Sequence, residues 1–300
     1  MSVDLFGNKV KESDLLRDKF IEPPFSVLDT KQGDWQGRKR KWKSLGIKSE
    51  IGRDSVSIVG GTDIYRDISK KESYDNKDNY VSIFDPALTE LMYSWFCPDG
   101  GEILDPFAGG SVRGIVANYL GYKYTGIELR PEQVESNRIQ AIDILEKDNQ
   151  PNWIIGDSNE LLKGYDNRYP FFNCSENFDF IFSCPPYANL EVYSDLDGDI
   201  SNMEYNDFLE AYKGIIEKSC NLLKRNCLAC FVVGEVRDSD GNYIGFVPDT
   251  VKAFQKCGMK YYNEAILLNP VASASMRANG NMKSKKLAKI HQNVLIFKKP

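Results

Sequence analysis

The chain has 300 residues, of which 42% are hydrophobic and 27% charged, with a net charge of −5 and a pI near 5.2. This length suits one large domain with an appendage, and the acidic balance argues against a surface coated in positive charge. No apolar run is long enough to span a membrane and no leader pattern is visible at the start, so we expect a cytoplasmic protein. Seven cysteines without regular spacing favour free thiols over a disulfide framework.

Residues 1–80 are polar and irregular, with turn signals at Pro23-Pro24 and in "QGDWQG" and "VGGTD". We expect this part to be an N-terminal appendage with little core of its own, followed by one domain over residues 81–300. The appendage contains the basic run "GRKRKWK". This run is either a solvated surface face or a contact for nucleic acid.

From Glu102 onward, strand-like runs alternate with helical patterns, which is typical of a parallel sheet covered by helices. The patterns predict seven strands, at 102–107, 122–129, 152–157, 178–184, 227–236, 260–268 and 291–299. Helices are predicted near 111–120, 131–146, 205–222 and 248–257. The predicted fold class is therefore α/β, a seven-stranded, doubly wound, Rossmann-like sheet whose last two strands form a closing antiparallel pair.

In such a sheet the residues that follow the strands form the ligand site. After the first strand, "DPFAGGSVRG" places Ala108, Gly109 and Gly110 where a ligand can approach the backbone. This loop is neither a G-x-x-x-x-G-K-[ST] nor a G-x-G-x-x-G motif, which disfavours a nucleoside triphosphate or a dinucleotide. Glu128 and Asp157, after the next two strands, could bind ribose hydroxyls and an adenine amino group, or be a solvated strand end and a helix cap. Together they indicate an adenosine without phosphate.

The loop "DPFAGG", followed later by "CPPY", resembles the motifs of the S-adenosylmethionine-dependent amino-methyltransferases of DNA, D-P-F-x-G-x-G and [DNS]-P-P-[YFW]. The likeness covers about residues 80–300. It is nearest to the modification methylases of phages and prophages, which share forms like "PPFSVLD", "WQGRKRKW" and "HQNVLIFKK". The resemblance implies a methyltransferase fold, S-adenosylmethionine as cofactor, DNA as partner, and a bacterial or phage-infected cytoplasm.

The resemblance also implies roles for individual residues. Phe107 would lie against the adenine ring, Glu128 would bind the ribose and Asp157 the adenine amino group. A segment before the first strand would close over the methionine end. The implied cofactor-binding residues are Asp85, Pro86, Asp105, Phe107, Ala108, Gly109, Gly110, Glu128 and Asp157.

The catalytic loop of the family would comprise Cys184, Pro185, Pro186 and Tyr187. An exocyclic amine is a poor nucleophile, and two acceptors beside the nitrogen can free its lone pair. The carbonyl of Pro185 would be one acceptor, since proline presents it rigidly. The other is normally Asp, Asn or Ser, but here Cys184 is a weak acceptor and Ser183 lies one residue earlier. Tyr187 would stack on a base flipped out of the duplex.

Several alternatives stay open at this point. The two prolines could simply end the strand with Tyr187 in the core, and Cys184 could be a thiolate nucleophile for carbon-5 methylation. The target could be adenine N6, cytosine N4, an RNA base or a protein amide, or the chain could be a non-catalytic DNA-binding subunit.

Two loop insertions are predicted, at 188–203 and 269–291, and the second should be a long basic loop without regular structure. We expect it to contact DNA phosphates together with the N-terminal basic run. The predicted DNA-contact residues are Arg38, Lys39, Arg40, Lys41, Arg277, Lys283, Lys285, Lys286 and Lys289.

Overall fold

The structure is a computed structural model. It describes residues 16–48, 57–58, 84–164, 168, 169, 172, 176–187, 191, 192, 194–269, 271 and 274–300. It describes only the backbone of residues 57, 58, 191, 192 and 275–277. The predicted DNA contact of the Arg277 side chain therefore lies outside the described residues.

One mixed eight-stranded sheet forms the centre of the molecule, in the order β1-β9-β10-β8-β6-β3-β4-β5. All its neighbouring strands are parallel except β10, which is antiparallel to both β8 and β9. Its strands are β1 (Val27–Asp29), β3 (Glu102–Asp105), β4 (Lys123–Glu128), β5 (Asn152–Ile155), β6 (Phe178–Ser183), β8 (Leu223–Val233), β9 (Lys260–Leu268) and β10 (His291–Lys298). A separate two-stranded ribbon pairs β2 (Ser57–Ile58) with β7 (Glu191–Val192).

Helices cover both faces of this sheet. They are α1 (Leu16–Phe20), α2 (Gly33–Ser44), α3 (Pro86–Phe96), α4 (Val112–Tyr119), α5 (Pro131–Ile144), α6 (Ser158–Leu161), α7 (Tyr205–Leu222), α8 (Phe246–Lys256) and α9 (Ala274–Lys283), with a 3-10 helix at Ile200–Asn202. One buried cluster contains residues of α2 to α5, and a second, on the other side, contains residues of α7 and α8. None of the described helices has the length and apolar character that crossing a membrane requires.

This arrangement confirms the predicted α/β class and its doubly wound sheet, with one strand more than predicted. All seven predicted strands are present, and β10 is the expected antiparallel strand. The extra strand is β1, which pairs in parallel with the end of β9 through Val27 and Ile266. Three residues next to two prolines are too few to show a strand periodicity, so the sequence pattern does not reveal β1.

The basic run of the N-terminal segment lies on helix α2 rather than in a loop. Trp35 and Trp42 are both buried on it, with 2% and 5% exposure, in the same cluster as the residues of α3. Seven residues are two helical turns, so the two tryptophans share one face of the helix. A domain boundary near residue 80 stays a prediction, but residues 33–44 pack into the main core.

The insertion at 269–291 differs from its prediction, since it contains helix α9. The helix ends in a left-handed turn, in which Lys285 has φ +54° and the backbone N–H of Lys286 donates to the carbonyl of Asn281 over 2.8 Å. Its small and polar residues suggested a loop, yet alanine and methionine favour a helix. The expectation of a segment without regular structure was therefore wrong.

The two closely spaced cysteines of "CLAC" are plain strand residues of β8. Cys230 is fully buried in β8, and its thiol lies 3.7 Å from the sulfur of Met92. Cys227 is half-buried near the start of the same strand.

Candidate active site

The predicted site residues meet at the carboxyl ends of β3, β4, β5 and β6. The backbone N–H of Gly109 donates to Oε2 of Glu128 over 2.9 Å, which joins the ends of β3 and β4. The hydroxyl of Ser158, after β5, donates to the carbonyl of Pro106 over 2.6 Å. Since parallel strands end at one edge of the sheet, residues far apart in the chain form a single site there.

Asp105 lies at the centre of this site and is completely buried. Its Oδ1 accepts from the hydroxyl of Ser183 at 2.6 Å and from the backbone N–H of Phe107 at 3.2 Å. Its Oδ2 accepts from Nε of Arg113 at 2.5 Å and from the hydroxyl of Tyr124 at 2.7 Å. Both oxygens thus bind protein donors, so Asp105 holds the loop from beneath, where the sequence predicted a contact with the cofactor.

Arg113 is the main residue that sequence reasoning missed. Besides Asp105, its guanidinium binds the carbonyls of Phe107 and Ala108, at 2.6 and 2.9 Å from Nη2. The ring of Phe84 covers it at 4.6 Å. Burial lowers the pKa of Arg113, but the negative charge and hydrogen bond of Asp105, together with smaller contributions from Tyr124 and Cys184, raise it above its ordinary value. The arginine therefore stays charged and clamps the loop that follows β3.

The glycine turn is held by a chain of buried side chains from α5. Gly109 has φ +53°, and a side chain at this position would meet no atom of the described residues within 4 Å, so one side of the turn is open among them. Its carbonyl accepts from the amide of Asn137 at 2.7 Å. Asn137 in turn accepts from Gln133, and Gln133 from Arg130, each at 2.9 Å. The turn is thus rigid while its open side leaves room for a ligand. Gly110, the next residue, is half-buried.

Glu128 is held in a fixed orientation near the glycine turn. Its Oε1 accepts from the backbone N–H and from Nε of Arg130, at 3.1 and 3.3 Å. The side chain is only 11% exposed, which rules out the solvated strand end considered above. Burial raises the pKa of Glu128 above its ordinary value of 4.5, and Arg130 partly opposes this effect.

Asp157 fills one of the two roles that the sequence left open. Its Oδ1 accepts from the backbone N–H of Asn159 at 2.7 Å and caps α6, so the helix-cap interpretation is right for this oxygen. Its Oδ2 faces the insertion 188–203, because a side chain built on Gly198 would lie 3.1 Å from it. Burial raises the pKa of Asp157.

Phe107 and Ala108 lie between the glycine turn and the core. The half-buried ring of Phe107 lies 5.9 Å from that of Tyr212 and 6.3 Å from that of Phe231. Ala108 is fully buried.

The end of β6 separates Ser183 from Cys184, as strand alternation predicts. Ser183 is completely buried and its hydroxyl donates to Asp105, so it faces the loop network. Cys184 is half-buried, and its sulfur lies 3.8 Å from the hydroxyl of Tyr187. Pro185 is buried and Pro186 half-buried.

Tyr187 is half-buried and packs 6.0 Å from the ring of Phe246. Its hydroxyl accepts from Nε2 of Gln292 at 2.6 Å. This packing agrees in part with the alternative in which Tyr187 lies in the core. The contact with Gln292 has no signal in the sequence, because the two residues are 105 positions apart.

Asp85 and Pro86 lie at the start of α3. Asp85 caps the helix by accepting from the backbone N–H of Ala87 at 2.9 Å. Its Oδ2 also accepts from the indole of Trp35 at 3.1 Å and from Nζ of Lys39 at 3.0 Å. One of the cations predicted to contact DNA is therefore paired within the protein.

A second pair of this kind joins the same two helices, α2 and α3. Glu90 of α3 accepts from Nη1 of Arg38 at 2.6 Å and from the indole of Trp42 at 2.7 Å. Arg40 and Lys41, in contrast, are exposed. The basic run thus has one face that docks α2 on α3 and one face that is open to solvent.

The cations at the end of α9 and in the residues that follow it also differ in their exposure. Lys283 and Lys285 are exposed, whereas Lys286 is half-buried and its side chain fills the space above Gly241. Lys289 is half-buried with Nζ 3.5 Å from Oδ1 of Asn293, and burial lowers its pKa.

A family model matches part of the chain. The model of the N6 and N4 DNA methylases matches residues 18–139, a segment that includes Asp85, the glycine turn and Asn137. Over this segment the chain is similar to the DNA methylases. The match supports a methyltransferase that uses S-adenosylmethionine as its cofactor.

Solved structures with a similar fold include a TehB-like S-adenosylmethionine-dependent methyltransferase from Corynebacterium glutamicum. It is 13% identical, and the match covers 89% of this chain and 97% of that chain with a TM-score of 0.40. A protein from Pyrococcus horikoshii, provisionally described as an RNA methyltransferase, is 15% identical over 78% and 95% with a TM-score of 0.46. A protein from Thermus thermophilus, provisionally described as a DNA modification methylase, is 17% identical over 48% and 50% with a TM-score of 0.34. A comparison with curated proteins gives no match.

The candidate site of this chain fits S-adenosylmethionine chemically. The open side of Gly109 leaves space for a ligand, and the carboxylate of Glu128 lies at its edge. An adenosine whose 5′ carbon carries a sulfonium instead of a phosphate needs carboxylates rather than a phosphate cradle, and the site offers Glu128 and Asp157.

Proposed function

We propose that this protein methylates the exocyclic amino group of adenine or cytosine in DNA. The proposal is carried by one observation: a single buried carboxylate, that of Asp105, binds both the cofactor loop and the end of the strand before the catalytic loop. Its Oδ1 accepts from both Phe107 and Ser183, and its Oδ2 accepts from Arg113. This fixes the two motifs relative to each other, as methyl transfer between two bound molecules requires.

The proposal assigns the cofactor to the open side of the glycine turn. Glu128 would accept from the ribose hydroxyls, the second oxygen of Asp157 from the adenine amino group, and Phe107 would line the adenine. Asp85, at the start of α3, would face the methionine end beside Lys39. When bound, the cofactor supplies an electrophilic methyl group on a positively charged sulfur.

The catalytic loop would make the target amine nucleophilic. The carbonyl of Pro185 would accept a hydrogen bond from one N–H of the amino group, which draws the nitrogen lone pair out of conjugation with the base. The half-buried ring of Tyr187 would contact the face of a flipped base, and stacking of this kind contributes roughly 1–3 kcal/mol per base.

DNA would approach over exposed cations of two segments. Two pairs of exposed cations are suited to phosphates. They are Arg40 and Lys41 on the open face of α2, and Lys283 and Lys285 at the end of α9 and just after it. Arg38 and Lys39 are engaged with carboxylates of α3 and are weaker candidates for this contact. An acidic chain with two local basic segments fits binding to nucleic acid at one face rather than all over its surface.

The test is to incubate the protein with labelled S-adenosylmethionine and, in parallel, duplex DNA, single-stranded DNA or RNA, and to identify the modified nucleoside after digestion. We expect label in DNA as N6-methyladenine or N4-methylcytosine. Label only in RNA, or only at carbon 5 of cytosine, would contradict the proposal.

Matched glutamate variants provide the control for this experiment. Glu128→Gln should lose cofactor binding and labelling together. Glu132→Gln, an exposed position on the first turn of α5, should retain both. Equal loss in the two variants would mean that Glu128 has no special role.

A further inference from the structure

Gln292 is carried by a rigid part of the sheet, close to the catalytic loop. It is the second residue of β10, a strand hydrogen-bonded on both sides, and it pairs with Leu267 of β9. Its amide nitrogen lies 2.6 Å from the hydroxyl oxygen of Tyr187. A side chain fixed in a central strand can hold its partner more tightly than a loop residue can.

Two other segments of the chain contact the ring of Tyr187. Near its hydroxyl end lies Gly234, just after β8, where an added side chain would lie 3.5 Å from the ring. The ring of Phe246 packs against it from the start of α8, and the backbone N–H of Phe246 is held by Glu235 at 2.8 Å. These contacts restrict the position of the ring, and the hydrogen bond to Gln292 fixes the position of its hydroxyl.

The direction of the hydrogen bonds follows from their donors. The amide nitrogen of Gln292 can only donate, so the oxygen of Tyr187 accepts and its own proton is available to another acceptor. The sulfur of Cys184 lies 3.8 Å from this oxygen and can accept a hydrogen bond from the Tyr187 hydroxyl. Cys184 then orients the side chain of Tyr187.

We propose that Gln292 is a positioning residue for methyl transfer, which acts through the hydroxyl of Tyr187 and thereby on Cys184. The inference rests on the proposed function. It explains how a cysteine can stand where related enzymes have Asp, Asn or Ser: its sulfur orients the aromatic residue, and the carbonyl of Pro185 remains as the acceptor that the loop offers to the amine.

The test uses Gln292→Leu and Tyr187→Phe, alone and combined. Each single variant should lower kcat for DNA methylation about five- to tenfold, the effect of losing one orienting hydrogen bond, with little change in KM for S-adenosylmethionine. The double variant should be no slower than Tyr187→Phe alone, because both changes remove the same interaction. Asn293→Leu is the matched control, since this neighbouring amide bonds Glu264 at 2.7 Å, and it should retain wild-type kcat.

A second measurement does not depend on activity. The rate at which iodoacetamide alkylates Cys184, followed by peptide mass spectrometry with Cys227 as internal reference, should rise several-fold in Gln292→Leu and in Tyr187→Phe but not in Asn293→Leu. Unchanged alkylation in Gln292→Leu, or losses of kcat that multiply in the double variant, would overturn the inference. A wild-type protein that methylates no DNA would overturn the proposed function instead, while the alkylation rates would still decide whether Gln292 acts on Cys184.

Discussion

Replacing Ser183 by alanine separates the two roles that this residue could have. As the second acceptor for the target amine, Ser183 would matter to catalysis and little to stability. As part of the buried network around Asp105, it matters chiefly to stability. The structure favours the second role, because Ser183 is completely buried and its hydroxyl lies 2.6 Å from Oδ1 of Asp105.

The size of the effect follows from the charge of the acceptor. Hydrogen bonds to a charged group contribute about 1.5–3 kcal/mol, against about 0.5–1.5 kcal/mol for neutral pairs. Ser183→Ala should therefore lower the free energy of unfolding by about 2 kcal/mol. Ser219 is a matched control in α7: it is also buried, but its hydroxyl donates to the neutral carbonyl of Ile215 at 2.8 Å. Ser219→Ala should cost about 1 kcal/mol.

Urea denaturation of the two variants and the wild type measures both values, and methylation assays on the same samples measure kcat. We expect Ser183→Ala to retain at least part of its activity at temperatures where it is folded. A variant as stable as Ser219→Ala but without measurable methylation would refute the structural role and restore Ser183 as an acceptor for the amine.

Three further predictions concern the cofactor, the cysteine and the basic helix. Because burial raises the pKa of Glu128, a ribose contact that needs its ionised form is lost, as the pH falls, at a higher pH than for an exposed glutamate. Calorimetric titration of S-adenosylmethionine across the mildly acidic range should show this loss, and the Glu128→Gln variant should bind weakly at every pH. Cys184→Ser should keep or improve methylation, since a hydroxyl is a better acceptor than a thiol; its complete loss would support a thiolate nucleophile. Lys41→Met should reduce the salt dependence of DNA binding by about one phosphate contact, whereas Lys39→Met should instead lower the unfolding free energy, because Nζ of Lys39 is paired with Asp85. Equal salt slopes for these two variants would refute the division of the basic helix into two faces.

The sheet could be predicted from the sequence because its central strands are long apolar runs separated by helical patterns. Strand β1 has three residues and leaves no such pattern. The basic run of α2 was harder to interpret, since its charged residues dominate the composition. The spacing of Trp35 and Trp42 does contain the signal of a buried helical face, but the carboxylates that they bind belong to the start of α3, some 50 residues later.

The position of a residue after a strand predicted Glu128 and Asp157 as site residues, and the structure places them at the carboxyl ends of two paired strands, β4 and β5. The residues that hold the site in place could not be found in this way. Asn137 binds Gly109 across 28 positions, and Gln292 binds Tyr187 across 105. Such pairs depend on how helices and strands pack, and a single sequence has no periodicity that encodes them.

The alternation of side chains at the end of β6 has a consequence for the chemistry. Ser183 points to the network under the cofactor loop, and Cys184, the next residue, lies by the hydroxyl of Tyr187. Because successive strand residues face opposite sides, a change at position 183 alters the link to Asp105, while a change at 184 alters the surroundings of the Tyr187 hydroxyl. Position 184 can therefore change from Asp, Asn or Ser to Cys without loosening the hydrogen bond that holds the end of β6 to the loop after β3.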